Sequence, residues 1–148
     1  MRSNVRPISY AKQQTLGVNV PSSITVVGTG AVGAWFALFA AIAGTRNFLL
    51  FDPAVVKNTD LALVPWDARC IGRPKTHATR DLIRRIRPGV SIKTFGTFVL
   101  GVHDKLLTGV VFNGADGNIA RHLPDIDRER ELQYITCCVQ WALVCDLR

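Results

Sequence analysis

Ile24-Thr25-Val26-Val27-Gly28-Thr29-Gly30-Ala31-Val32-Gly33 joins an apolar run to a glycine-rich turn, and the alanine-rich stretch 34–43 follows it. A second apolar run, 48–51, ends in Asp52. Strand, glycine turn, helix, strand and acid, in that order, describe a βαβ unit that binds a dinucleotide or nucleotide. Glycines at 28, 30 and 33 let the chain turn tightly, admit backbone N–H groups to phosphate oxygens and pack the helix closely on the sheet. The helix N-terminus attracts anions. Gly28, Gly30, Ala31 and Gly33 are therefore the expected phosphate-side residues, and Asp52 is the expected ribose contact.

Strands are expected over 24–28, 47–52, 90–95 and 109–113, with a further strand-like run within 134–144. Helices are expected over 31–43 and 74–87, a short one over 102–107, and a loop or short helix over 117–127. In the 74–87 helix, Ala78, Leu82, Ile83 and Ile86 form one apolar stripe, while Arg80, Arg84 and Arg87 lie off it. Residues 1–21 carry Pro7 and Pro21 without sustained periodicity, which predicts an N-terminal arm or short helix ahead of one domain over 22–148. Alternating strands and helices imply an α/β fold with a doubly wound, mostly parallel, Rossmann-like sheet and right-handed crossovers.

A chain of 148 residues that is 48% hydrophobic and 20% charged suits one compact domain. Its net charge of +7 favours anionic partners. Arg80, Arg84, Arg85 and Arg87 have no interleaved aromatic residues, so they read as a solvated helix face and not as a nucleic-acid surface. Cys70, Cys137, Cys138 and Cys145 form no C-x-x-C pair and no secretory signal is present, which points to the cytoplasm. The longest apolar stretch, 31–44, is shorter than the ~20 residues of a spanning helix, so no membrane partner is expected. His77, His103 and His122 lack metal-ligand spacing, and Cys137 and Cys138 read as core.

From Tyr10 to about Arg121 the chain resembles the adenylyltransferase domain of the ThiF/MoeB type, related to ubiquitin-activating enzymes. The matching residues are the glycine turn, Asp52 within Phe-Asp-Pro-Ala-Val-Val, Leu61, Gly72-Arg73-Pro74-Lys75, and Asn113-Gly114-Ala115-Asp116 followed by Arg121. Tyr10-Ala11-Lys12-Gln13 resembles the family's N-terminal Arg-Tyr-x-Arg-Gln segment. The resemblance implies ATP and magnesium as cofactors, and a ubiquitin-like or sulfur-carrier protein whose C-terminal carboxylate is adenylated. It also implies a homodimer. It assigns Asp52 to the ribose hydroxyls, Lys75 to the phosphates, Asp116 to magnesium, and Lys12 to a basic arm that enters the site, in some members from the partner subunit. Lys75 and Lys12 are thus the catalytic candidates. Joining a carboxylate to a phosphate brings two anions together, so cations and fixed donors must offset the charge.

The connector departs from the family pattern. Where the family has Asn, Leu, x, Arg, Gln, this chain reads Asp60-Leu61-Ala62-Leu63-Val64, and Asp116 is followed by Gly117. The family's crossover loop and paired Cys-x-x-Cys zinc motifs have no counterpart before Arg148. The chain therefore reads as a C-terminally truncated relative that keeps the nucleotide half, with catalysis weakened or lost. Two other readings stand: an NAD(P)-binding oxidoreductase, because the glycine turn and Asp52 suit NAD equally well, and an inactive nucleotide-binding assembly subunit, because of Leu63.

Overall fold

The computed structural model describes residues 8–17, 19–98, 103, 106, 107 and 109–115, together with the backbone of 133–136. The elements are α1 (Ala11–Thr15), β1 (Ser23–Val27), α2 (Ala31–Ala43), β2 (Asn47–Phe51), α3 (Lys75–Ile86), β3 (Ser91–Phe95), β4 (Val110–Asn113) and β5 (Gln133–Thr136). Two 3-10 turns, Asn58–Ala62 and Ala68–Cys70, shape the connector between β2 and α3. The sheet order is β3-β2-β1-β4-β5 and every pairing is parallel. Strand order reverses beside β1, which creates a switch point at the C-terminal ends of β1 and β4.

Burial explains why these segments became strands and helices. Ile24 to Val27 are buried on both faces, as the inner strand of a parallel sheet requires. Ile24, Val26, Phe48, Leu50 and Phe112 point to one face, where they meet Ala37, Leu38 and Ala41 of α2 and Ile83 of α3. Val27, Phe51 and Val111 point to the other face and pack with Leu107. Phe36 of α2 stacks on Phe112 with ring centroids 3.8 Å apart, which fixes α2 over the switch point. Gly44 ends α2 at φ 126°, and Arg87-Pro88 ends α3.

The expected bounds hold to within a residue for β1 to β4, α2 and α3. The buried face of α3 is broader than the predicted stripe. Ala78 and Ile83 are buried as expected, but Thr76 and Thr79 are fully buried too. Thr76, Thr79 and Ile83 share one helix face, while Ala78 and Leu82 turn toward the connector cluster of Val56, Val64, Trp66 and Cys70. The irregular connector thus serves as a second wall that periodicity alone did not reveal. No described helix is long and apolar enough to cross a membrane. The stretches 117–127 and 137–144 and the residues His122, Cys137, Cys138 and Cys145 lie outside the described residues, as does most of 102–107.

Candidate nucleotide-binding site

The C-terminal ends of β1, β2 and β4 are level, because Val27 pairs with both Phe51 and Asn113. The chain leaves these three ends as the glycine turn, Asp52 and Gly114-Ala115. Gly28 takes φ +80°, and a Cβ on it would meet the Ala115 backbone at 2.6 Å. A Cβ on Gly33 would overlap the Gly28 carbonyl oxygen, so the start of α2 lies directly against the turn. Gly114 N–H donates to the Val27 carbonyl at 2.8 Å, closing the β4 side. Gly30 has nothing within 4 Å of where its Cβ would stand, so this glycine faces open space.

Helix α2 starts without a side-chain cap and with no acidic residue in its first turn. Its first N–H groups are therefore offered to an anion from outside. Asp52 is buried, and it accepts from Thr29 N–H at 2.7 Å and Thr29 Oγ at 3.2 Å through Oδ2. Its Oδ1 accepts from Ala54 N–H at 2.8 Å. Asp52 thus ties the glycine turn to the end of β2 and keeps one acceptor position, on Oδ1, for a further donor. The role of Thr29 was not legible beforehand, although a hydroxyl residue between the glycines was the available signal.

Lys75 reaches the same region from the connector side. Its backbone N–H donates to the Ala54 carbonyl at 3.0 Å, beside the Asp52 turn. Its Nζ donates to Asp60 Oδ1 at 3.1 Å, with the two side chains only 14% and 17% exposed. Asp60 Oδ2 accepts from Lys57 N–H at 2.8 Å. Burial pushes the Asp60 carboxyl up, but the Lys57 amide and the Lys75 ammonium together hold it below its ordinary value. The connector then packs Leu61 near Ala31 and Ala34. Trp35 Nε1 donates to the Leu63 carbonyl at 2.8 Å, and the Leu63 side chain is 54% exposed. An exposed apolar group therefore stands where the family pattern has arginine.

Glycines 28, 30 and 33, Ala31, Asp52 and Lys75 are thus drawn together around one mouth of the sheet. Lys12 is exposed on α1 and lies elsewhere in the fold. Tyr10, two residues before it, contacts Gly44, at the opposite end of α2 from Gly30. Thirteen helical residues put those ends about 20 Å apart. Asp116 lies outside the described residues, although Ala115, its chain neighbour, abuts Gly28. Among the described residues no group of three or more His, Cys, Asp or Glu side chains is placed to hold a metal ion.

A profile of the ThiF family matches residues 2–125. The chain belongs to the ThiF family. A comparison with curated protein sequences gives no match. Among solved structures, this ThiF-family chain is similar to E. coli tRNA N6-threonylcarbamoyladenosine dehydratase, TcdA, at 22% identity and a TM-score of 0.64. That match covers 73% of this chain and 50% of the dehydratase chain. It is similar to E. coli MccB, solved with ATP, at 17% identity and a TM-score of 0.59, over 66% of this chain and 30% of that one. PaaA matches at 23% identity and a TM-score of 0.59, over 62% and 30% respectively. At these identities the likeness is one of fold. The ThiF-family chain spans about half of the dehydratase chain and 30% of the other two.

Proposed function

We propose that this chain binds ATP and adenylates the C-terminal carboxylate of a ubiquitin-like or sulfur-carrier protein. The observation that carries the reading is the convergence of the uncapped α2 N-terminus, buried Asp52 and the Lys75 first turn at one switch point. TcdA has been solved with ATP and with AMP, and MccB with ATP and with MccA, which supports an adenine nucleotide and a protein or peptide substrate for this fold. The N–H groups of Gly30 and Ala31 and the close-packed Gly28 and Gly33 form the phosphate cradle. Asp52 takes a ribose hydroxyl on its remaining lone pair, and Lys75 is the phosphate cation. Magnesium accompanies the nucleotide, and Asp116 is the ligand we assign to it. In the reaction a carboxylate oxygen bonds to the α-phosphorus and the bond to pyrophosphate breaks. The residues of this chain hold the two anions in line. We place the whole site within one domain, 22–148, behind the arm 1–21, in the cytoplasm.

A second copy of the chain completes the site. Lys12 starts from the far end of α2, so it serves a nucleotide bound to a partner copy more readily than its own. Apart from the Trp35 indole N–H, helix α2 carries no polar side-chain group, and Trp35, Phe39 and Ile42 expose an apolar stripe at helical spacing beside Leu63. Burial of that stripe stabilises the dimer. Sedimentation at micromolar concentration is expected to show a dimer that Phe39→Glu dissociates, and a wild-type monomer removes the second copy from the site.

Incubation with ATP, magnesium and a carrier ending in Gly-Gly, followed by mass spectrometry of the carrier, tests the reaction. A carrier adenylate is the expected product. ATP binding without adenylate transfers the chain to the inactive assembly reading, which exposed Leu63 favours.

A further inference from the structure

We propose that Asp60 decides how strongly this site distinguishes nucleotides by their phosphate charge. The inference rests on the adenine-nucleotide reading above and concerns a residue for which the family pattern has an amide. Lys75 Nζ is already engaged by Asp60 Oδ1, in a pair largely withdrawn from water. The other oxygen of Asp60 is fixed by the Lys57 N–H that closes the Asn58–Ala62 turn. The carboxylate is therefore tied to its own backbone, and the ammonium is the partner that must move when a phosphate arrives. Asp52 is likewise fixed by Thr29 and Ala54. The described charges around Asp60 are its own carboxylate and that of Asp52, with the ammoniums of Lys75 and of Lys57, which also acts on Asp60, so no cation is left in excess. Leu63 adds no charge.

A nucleotide phosphate then has two routes. It displaces Asp60 from Lys75 and leaves a bare carboxylate beside the phosphate, or it binds on backbone N–H groups while Lys75 stays neutralised. On either route each added phosphate gains little, because the attraction of the lysine is offset by a carboxylate at similar range. Low exposure keeps salt from screening that offset. Wild-type protein consequently reads mainly the nucleoside, and the carboxylate at position 60 sets that preference.

Calorimetric titration with adenosine, AMP, ADP and ATP on the wild type, Asp60→Asn and the double variant Asp60→Asn/Lys75→Met tests this. The introduced amide oxygen still accepts from Lys57 N–H, so the turn is kept. Wild-type affinity is expected to change less than about threefold from AMP to ADP. Asp60→Asn is expected to raise ADP affinity about tenfold, a shift equivalent to 1.4 kcal/mol, and to leave adenosine unchanged. The double variant is expected to lose that gain, since it needs the freed lysine. An AMP-to-ADP ratio that is the same in the wild type and Asp60→Asn overturns the inference while the nucleotide reading stands. If none of the four ligands binds any of the proteins, the reading and the inference fall together.

Discussion

Gly33→Ala is expected to destabilise the protein by about 3 kcal/mol, the cost of forcing a methyl group into a close-packed interior. The new Cβ would overlap the carbonyl oxygen of Gly28, and Val26 lies just beyond it at 3.3 Å. Neither neighbour has room to yield. Gly28 is held by its own N–H, which donates to the Phe51 carbonyl at 2.7 Å, and the Ala115 backbone fills the space where its Cβ would stand. Relief therefore requires α2 to lift from β1, which separates Ala37, Leu38 and Ala41 from the sheet. Urea denaturation measures the loss. Gly30→Ala supplies the contrast, because its backbone is at φ −70° and its Cβ would stand in open space. That variant is expected to keep wild-type stability and lose nucleotide affinity, since the methyl group occupies the cradle. Equal stability of wild type and Gly33→Ala would show that α2 does not rest on the turn.

Asp52→Ala is expected to cost about 2–4 kcal/mol, because two backbone N–H groups and one hydroxyl lose their acceptor where water is scarce. The Thr29 N–H and Oγ would be stranded on the glycine-turn side and the Ala54 N–H on the β2 side. Asp52→Asn is only a partial remedy. Its amide keeps one carbonyl oxygen but turns an NH2 toward at least one existing donor. A residue that contacted only ribose would leave stability untouched when replaced. Paired unfolding curves and ATP titrations on both variants check the dual role, and the expected result is loss of stability together with loss of affinity.

The first half of the fold was legible because its signals are local. Glycine spacing, the apolar run of 24–27 and the unbroken apolar helix that follows are all signals between near neighbours in the chain. The bounds of α2 follow from Gly30 and Gly44 at its two ends. Asp52 was legible as a candidate by its place at the end of β2, but its hold on Thr29 belongs to the folded loop and left no periodic trace. The Lys75–Asp60 pair was hidden for a different reason. The two residues are joined across an irregular connector whose path is set by Val56, Val64 and Trp66 packing on α3. Asp60 was visible as a departure from the family pattern, but not as the partner that neutralises the lysine. Burial of Thr76 and Thr79 was missed because they share the helix face of Ile83, which packs into the sheet-facing core, while a hydroxyl residue adds nothing to an apolar stripe.

The identity of the ligand is the claim on which the site, the Asp60 inference and the proposed reaction all depend. Titration of the wild-type chain with ATP plus magnesium and, separately, with NAD, followed by the shift in thermal unfolding, measures it most directly. Ligand that binds only the folded state raises stability in proportion to the logarithm of its concentration. A saturable upward shift is expected with ATP and none with NAD. A shift produced by NAD alone would contradict that claim and make the glycine turn that of a dinucleotide-dependent oxidoreductase.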